Sequence, residues 1–417
     1  MRLYGKKYLQ RILFLLLIVL PVHVVYGQDA LSRSVLVTHI KTYYPQQLTN
    51  PQKKIRRTLS QFGYNLSYFA IPIFPITDFI RPGKYGRHSF SKPGRGEKNG
   101  CLYTCRGGFI DFSHLRAALD WTVYLTFSIL SGQDEIELAP EAGSLQLRFT
   151  NTGELTVDDI AGLAQKIAFE RLAWHEVASW HYHRPYRAPS DQQSAFTPED
   201  SYSNFLGTEI GKKVALRILR GLETLPFSQV ASEEIGKAIA DLQPVPHIRE
   251  SKMAYDIVDR EKQLKLPADK RNSDVWWDSK ILFRDQRYIF KRDIELGPEI
   301  DPWIVPQSGQ LGCDIGPGPE IFIVPQQSQN GHSLTNYYDF TITPDTAMFY
   351  GRKGKRVHTG FPAFSTKQFN YIVCIIAAEM EKVLSAGFDQ RDCCDPVCDF
   401  THLRRVGLAV VMKRSRN

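Results

Sequence analysis

Long apolar runs are scarce in this chain of 417 residues. The run Ile12 to Leu20 has nine residues, about half of what a bilayer-spanning helix needs, and no later stretch comes closer. An integral membrane bundle is therefore excluded. Paired C-x-x-C spacing is missing among the seven cysteines, so they do not read as a zinc knuckle. No G-x-S-x-G nucleophile elbow occurs, no P-loop lysine motif and no G-x-G-x-x-G. The pair Gly107 and Gly108 precedes a predicted helix as phosphate loops do, but without those motifs it reads as close backbone packing or a tight turn. The zinc protease motif H-E-x-x-H begins at His175 and Glu176 and fails at Ser179, where the second histidine belongs. His181, six residues beyond His175, lies about 120° round the helix from it and cannot replace the missing histidine.

Net charge is also small. The formal value is +8, but Arg2, Lys6, Lys7 and Arg11 belong to the N-terminal segment, and without them 48 basic residues face 44 acidic ones. The clusters KKIRR (Lys53 to Arg57), RKGKR (Arg352 to Arg356) and KRSR (Lys413 to Arg416) are separate and carry no RNA-binding signature. Nucleic acid is not an expected partner.

Residues 1–27 have the form of a secretory signal: basic residues, a short apolar run, the breaker Pro21, and small residues before Gln28. No cysteine follows the cleavage point to carry a lipid. The chain is expected to be exported, periplasmic or secreted, with no stable membrane span after cleavage; an uncleaved anchor is the alternative. In that compartment the cysteines are expected to form a few disulfides, whose connectivity spacing does not reveal.

The clearest element is Thr156 to His183, predicted as one long helix. Thr156 and Asp159 form a capping box. Ile160, Leu163, Ala164, Ile167, Trp174 and Ala178 share one face, while Phe169, Leu172 and Trp180 make the other side apolar as well. A helix apolar nearly all round is a buried one. It carries Glu170, Arg171, His175 and Glu176 inward, and buried charged groups are paired, bound to metal or used in chemistry. Before it, a short strand and the two glycines lead into a helix from about Asp111 to Leu130 with His114 on its core face and Arg116 and Asp120 spaced to pair. A hairpin joins Ile136–Leu138 to Leu145–Phe149. After it, Thr197 caps a helix with Pro198 at its first position and Glu199 and Asp200 in its first turn. Ser232–Leu242 reads as a short helix, Lys252–Trp277 as a polar connector or exposed helix, Ser34–His39, Lys280–Phe290 and Tyr337–Thr343 as strands, and about Thr366–Ala386 as a last helix. The expected class is α+β: a signal peptide (1–27), a mainly helical domain with small strands (28–250), and a loop-rich α+β portion with a cysteine-rich tail (251–417).

Inward-facing histidines and carboxylates on neighbouring helices are the usual way a bundle holds a cation. The candidate metal ligands are His114, Glu170 and His175, with zinc or a similar divalent ion favoured by that donor set. Glu176 and Glu199 are the candidate general bases. The alternative is a closed structural network in which the same charges pair with Arg116 and Arg171.

The segments GRHSF (Gly86 to Phe90), YTCRGGFIDFSHLRAALDWT (Tyr103 to Thr122), WHEVASWH (Trp174 to His181), SAFTPEDSYSNFLG (Ser194 to Gly207) and IDPWIVP (Ile300 to Pro306) resemble a bacterial family catalogued as domain of unknown function 4056. The resemblance covers roughly residues 75 to 310. It implies an exported, envelope-associated protein and brings no activity, substrate or catalytic residue with it. It does mark the polar residues of the motif blocks: His88, Asp111, His114, Arg116, Asp120, His175, Glu176, Glu199, Asp200 and Asn204. The functional expectation is a metal-dependent hydrolase acting on a cell-envelope component, against a non-catalytic envelope or binding protein.

Overall fold

The structure is a computed structural model, and it describes residues 31–51, 79–138, 143–181, 198–264, 299–305, 308–313, 316, 318–344 and 364–365. The predicted signal segment, the strand at Lys280–Phe290, the helix at Thr366–Ala386 and the cysteine-rich tail lie outside these residues.

The first element overturns an expectation. Ser34–His39, predicted as a strand, lies within helix α1 (Arg33–Tyr43). Its β-branched content suggested extension, but Leu36, His39 and Ile40 are the buried positions, and their spacing is that of one helical face. Arg33 fixes the docking: its guanidinium donates to the carbonyls of Ile129 and Leu130, where the last turn of the next helix leaves acceptors without partners of their own.

Strands β1 (Cys101–Thr104) and β2 (Gly108–Asp111) form an antiparallel hairpin. It runs straight into α2 (Phe112–Leu130), capped by the Asp111 side chain, which accepts from the Ser113 amide at 2.7 Å. All residues of α2 are buried. It, and not the longer helix after it, is the innermost element. β3 (Glu135–Leu138) and β4 (Gly143–Phe149) make the expected hairpin, and α3 (Val157–His181) follows. Its capping box is present: the Asp159 amide donates to Thr156 Oγ1, and the Thr156 amide to Asp159 Oδ2, both at 3.2 Å.

Helix α4 (Pro198–Gly221) starts at its proline. α5 (Phe227–Asp241) begins five residues before the predicted start, at the apolar Phe227 that it buries. α6 (Ile248–Leu264) starts four residues before the predicted polar connector and covers its first part; the rest of that stretch lies outside the described residues. Among the described residues, the Pro- and Gly-rich stretch beyond contributes a 3-10 turn at Ser308–Leu311 and two short strands, β5 (Glu299–Ile300) and β6 (Phe322–Ile323), paired with each other. β7 (Tyr338–Pro344) then returns to lie antiparallel on β4, giving a sheet in the order β3-β4-β7-β8 with β8 at Phe364–Ser365. The fold is α+β, as expected.

Two registers decide where the site forms. Gly207 and Gly211, one turn apart on α4, meet Leu115 with Ala118 and Leu119 with Thr122, one turn apart on α2. The two helices therefore run side by side in the same direction. A Cβ on Gly207 would stand 2.1 Å from the Leu115 carbonyl oxygen, so the close approach requires glycine. Phe169 stacks edge-on to Phe205, while Gln165 hydrogen-bonds Glu209. One step back along α3 is thus one step forward along α4, and those helices are antiparallel. The starts of α2 and α4 and the last turns of α3 meet at one end of the bundle.

The hairpin turn behaves as its glycines suggested. Gly108 has φ +64° and faces the Trp303 carbonyl, 2.1 Å from where a Cβ would sit, so the turn is closely packed. A disulfide joins Cys105 beside this turn to Cys313. Cys101, at the start of β1, is fully buried.

Candidate functional site

His114 lies in the first turn of α2 and is 6% exposed. Asp111, three residues earlier, turns one oxygen to its capping bond and the other, Oδ2, to His114 Nδ1 at 3.2 Å. Asp200, in the first turn of α4, brings Oδ1 to the same nitrogen, also at 3.2 Å. A bond from the Asp111 amide to Ser203 Oγ, 2.8 Å long, holds the two helix starts together. On the other edge of the ring, Nε2 faces Glu176 Oε1 at 3.7 Å. His175 completes that side, its ring centroid 6.2 Å from that of His114.

Atoms that could bind a metal ion form two groups, each within 4.8 Å: His114, His175 and Glu176, and Asp111, His114 and Asp200. His175 is only half-buried, so the first group reaches the protein surface. Glu176, which points away from the main apolar face of α3, is nonetheless 4% exposed because the back of the helix is covered. Glu199, beside Asp200, is fully buried and close enough to raise the Asp200 carboxyl.

Charge is concentrated here. Burial alone would depress the His114 imidazole, but the carboxylates of Asp200, Asp111 and Glu176 outweigh it and hold its pKa well above the usual histidine range. Burial pushes the Asp200 carboxyl well up, and Glu176, Glu199 and Asp111 push the same way against the opposing pull of His114. Three carboxylates thus act on one imidazole, with Glu199 beside Asp200. Asp111, Glu199 and Asp200 sit at helix starts, where the backbone dipole favours negative charge.

The distances have a chemical meaning. Ligands held about 2.0 Å from a tetrahedral ion stand about 3.3 Å from each other. The His114–Asp111 and His114–Asp200 separations match that edge. Neither His114 Nδ1 nor Asp111 Oδ2 makes a hydrogen bond of normal alignment among the described residues.

Glu170 is not in either group. The Tyr338 hydroxyl contacts both of its oxygens, at 2.7 and 2.8 Å, and Lys166 Nζ lies 3.5 Å away. The sequence offered no signal for Tyr338, which arrives from a strand 168 residues away. Asp111 was visible as a motif residue but read only as a helix start; its i,i+3 spacing to His114 was the available clue.

A second polar cluster is structural. His88 stands between Arg116 and Asp120: the guanidinium donates to Nδ1 at 3.2 Å, so Nε2 carries the hydrogen that Asp120 accepts at 2.9 Å. The Ser91 amide donates to the other Asp120 oxygen, and Arg116 also reaches the Tyr85 carbonyl. Arg116 and Asp120, predicted to pair, are linked through this histidine, and together they fasten the loop before β1 onto α2. Arg171 lies over the Trp121 ring at 4.6 Å.

Compared with known proteins, residues 46–306 match a family described as protein of unknown function (DUF4056). No curated protein and no solved structure matches the chain.

Proposed function

We propose that this chain, which belongs to the DUF4056 family, binds a divalent cation at the meeting point of α2, α3 and α4 and uses it in hydrolysis. The observation that carries this reading is the gathering of His114, His175 and Glu176 within ligand distance at a surface-reaching edge of a buried polar cluster. Two imidazoles and one carboxylate are a donor set of hydrolytic zinc sites, with a fourth position left for water. Glu170 is left out of the ligand set, because Tyr338 and Lys166 hold it.

A cation at this position supplies Lewis acidity toward a water and a substrate oxygen. His114 is oriented for ligation through Nε2 by the carboxylates on its Nδ1 edge, the usual second partner of a ligating histidine. Glu199 is the carboxylate assigned to take a proton from the attacking water. The compartment is proposed to be outside the cytoplasm, with a cell-envelope component as substrate. The Cys105–Cys313 disulfide supports export, since such bonds persist in oxidising compartments. No helix among the described residues is long and apolar enough to cross a membrane.

The competing reading, a closed non-catalytic network, draws on the same contacts, with His114 as an imidazolium held by Asp111 and Asp200. Zinc binding separates the two. The full-length chain, stripped with chelator and dialysed against Zn2+, is expected to retain zinc, and His175→Ala to lose one ion per chain with unchanged circular dichroism. A folded wild type that retains no zinc would establish the network reading. For the reaction, zinc-loaded protein incubated with isolated cell-envelope material is expected to release soluble fragments, and Glu199→Gln to bind zinc but release none.

A further inference from the structure

We infer that the second group, Asp111, His114 and Asp200, is itself a cation site, so that the centre holds two divalent ions on opposite edges of the His114 ring. This rests on the metal reading above and extends it from one ion to two.

Three observations lead here. First, one imidazole offers its two nitrogens in opposite directions, and each faces its own set of buried donors: Nε2 faces Glu176, with His175 alongside, and Nδ1 faces Asp111 and Asp200. A single ion can take only one of these nitrogens. Second, the Nδ1 edge does not have the form of a finished ion pair. Both carboxylate oxygens stand 3.2 Å from the nitrogen, yet Nδ1 and Asp111 Oδ2 lack an aligned hydrogen bond among the described residues. Buried polar atoms are rarely left so, whereas 3.2 Å matches the ligand-to-ligand edge of a tetrahedral site, about 3.3 Å. Asn204, one turn along α4 from Asp200, adds a further buried oxygen, Oδ1, with no hydrogen bond among the described residues.

Third, the charge balance favours two ions. Glu176, Glu199 and Asp111 all act on the buried Asp200 carboxyl, and charges there are tolerated when paired or bound to metal. Two divalent cations offset most of the charge of four carboxylates and a deprotonated His114. With both ions bound, His114 loses its remaining ring proton to the buffer and each ring nitrogen holds one ion; with only one ion, Nδ1 keeps its proton and Asp111 and Asp200 act as orienting groups.

The test uses the chelator-stripped full-length chain reconstituted with Zn2+, with zinc counted by elemental analysis and folding followed by circular dichroism. Two ions per chain are expected in the wild type, one in Asp200→Asn, one in His175→Ala and none in the double variant. Asp111→Asn, which keeps a good helix cap, guards against a folding defect in Asp200→Asn and is also expected to hold one ion. Loading with Cu2+ gives a second readout. An imidazolate-bridged pair couples its spins and weakens the paramagnetic resonance signal, which should return as an ordinary single-copper spectrum in Asp200→Asn. One zinc in the wild type, lost in His175→Ala but kept in Asp200→Asn, overturns the second site and leaves the proposed function standing. One zinc lost in Asp200→Asn but kept in His175→Ala overturns both the pair and the ligand set of the first site. No zinc at all overturns both readings.

Discussion

Tyr103 shows how a single side chain carries a pH dependence in this molecule. Its hydroxyl accepts from the Val305 amide at 3.1 Å, and burial first of all pushes its pKa from the ordinary 10.0 up to about 12, with that amide pulling slightly the other way. The folded protein therefore holds the phenol proton more tightly than the unfolded chain does. The resulting stability is present below pH 10, falls as the pH rises toward 12, and is gone above that. The two-unit difference is worth at most about 3 kcal/mol. Urea unfolding of wild type and Tyr103→Phe from pH 9 to 12 checks this: the variant should lose its stability less steeply, and equal slopes would contradict it. Glu170 gives a contrasting case, where spacing pointed to a metal ligand and the structure supplies a tyrosine. Glu170→Gln is expected to cost about 1.5–3 kcal/mol, the range for a hydrogen bond to a charged group, and to leave the zinc content unchanged. Loss of zinc in that variant would return Glu170 to the ligand set. From sequence the apolar surroundings of Glu170 were legible, but not the partner arriving from β7.

Glycines inside helices test the packing of whole elements, because sequence treats them alike. Gly207 in α4 and Gly236 in α5 are both mid-helix, and in isolation alanine would improve either by about 0.5–1 kcal/mol. At Gly236 no atom lies within 4 Å of an added Cβ, while at Gly207 the Leu115 carbonyl oxygen would lie at 2.1 Å. Gly236→Ala is accordingly expected to raise the thermal midpoint. Gly207→Ala should lower it, by the roughly 1–3 kcal/mol of an overpacked core, and should separate Asp200 from His114 and weaken zinc binding with it. Calorimetry on the two variants decides the matter, and a stabilising Gly207→Ala would refute the close α2–α4 contact. The starts of α3 and α4 were legible because caps are local: Thr156 with Asp159, and Pro198 followed by two acids, satisfy or complement backbone groups within one turn. α1 was misread because its few β-branched residues gave a short extended signal, while its helical face acquires meaning only against α2.

At the scale of the whole molecule, a disulfide between Cys105 and Cys313 links positions 208 residues apart. It ties the β1–β2 turn to the segment after β5, where Gly108 packs on Trp303 and Arg106 reaches the Gly318 carbonyl and Glu320. Cross-links of this kind are worth typically 2–4 kcal/mol. Cys313→Ser, or reduction of the wild type, is expected to lower the thermal midpoint measurably; an unchanged midpoint would mean that the segment is held by its backbone contacts alone. The sequence by itself determined the local features: the long apolar helix, its cap, the α4 start, the β3–β4 hairpin, the inward-facing histidines and the family motifs. Each of these depends on residues a few positions apart, within reach of periodicity and capping rules. Only the tertiary structure decided that α2 is the innermost helix, that β7 pairs with β4, which cysteines join, and that Asp111 and Asp200 share the two edges of His114 with Glu176 and His175. Those outcomes depend on helix direction and on contacts between residues tens to hundreds of positions apart, which the spacing of residues along a chain does not encode.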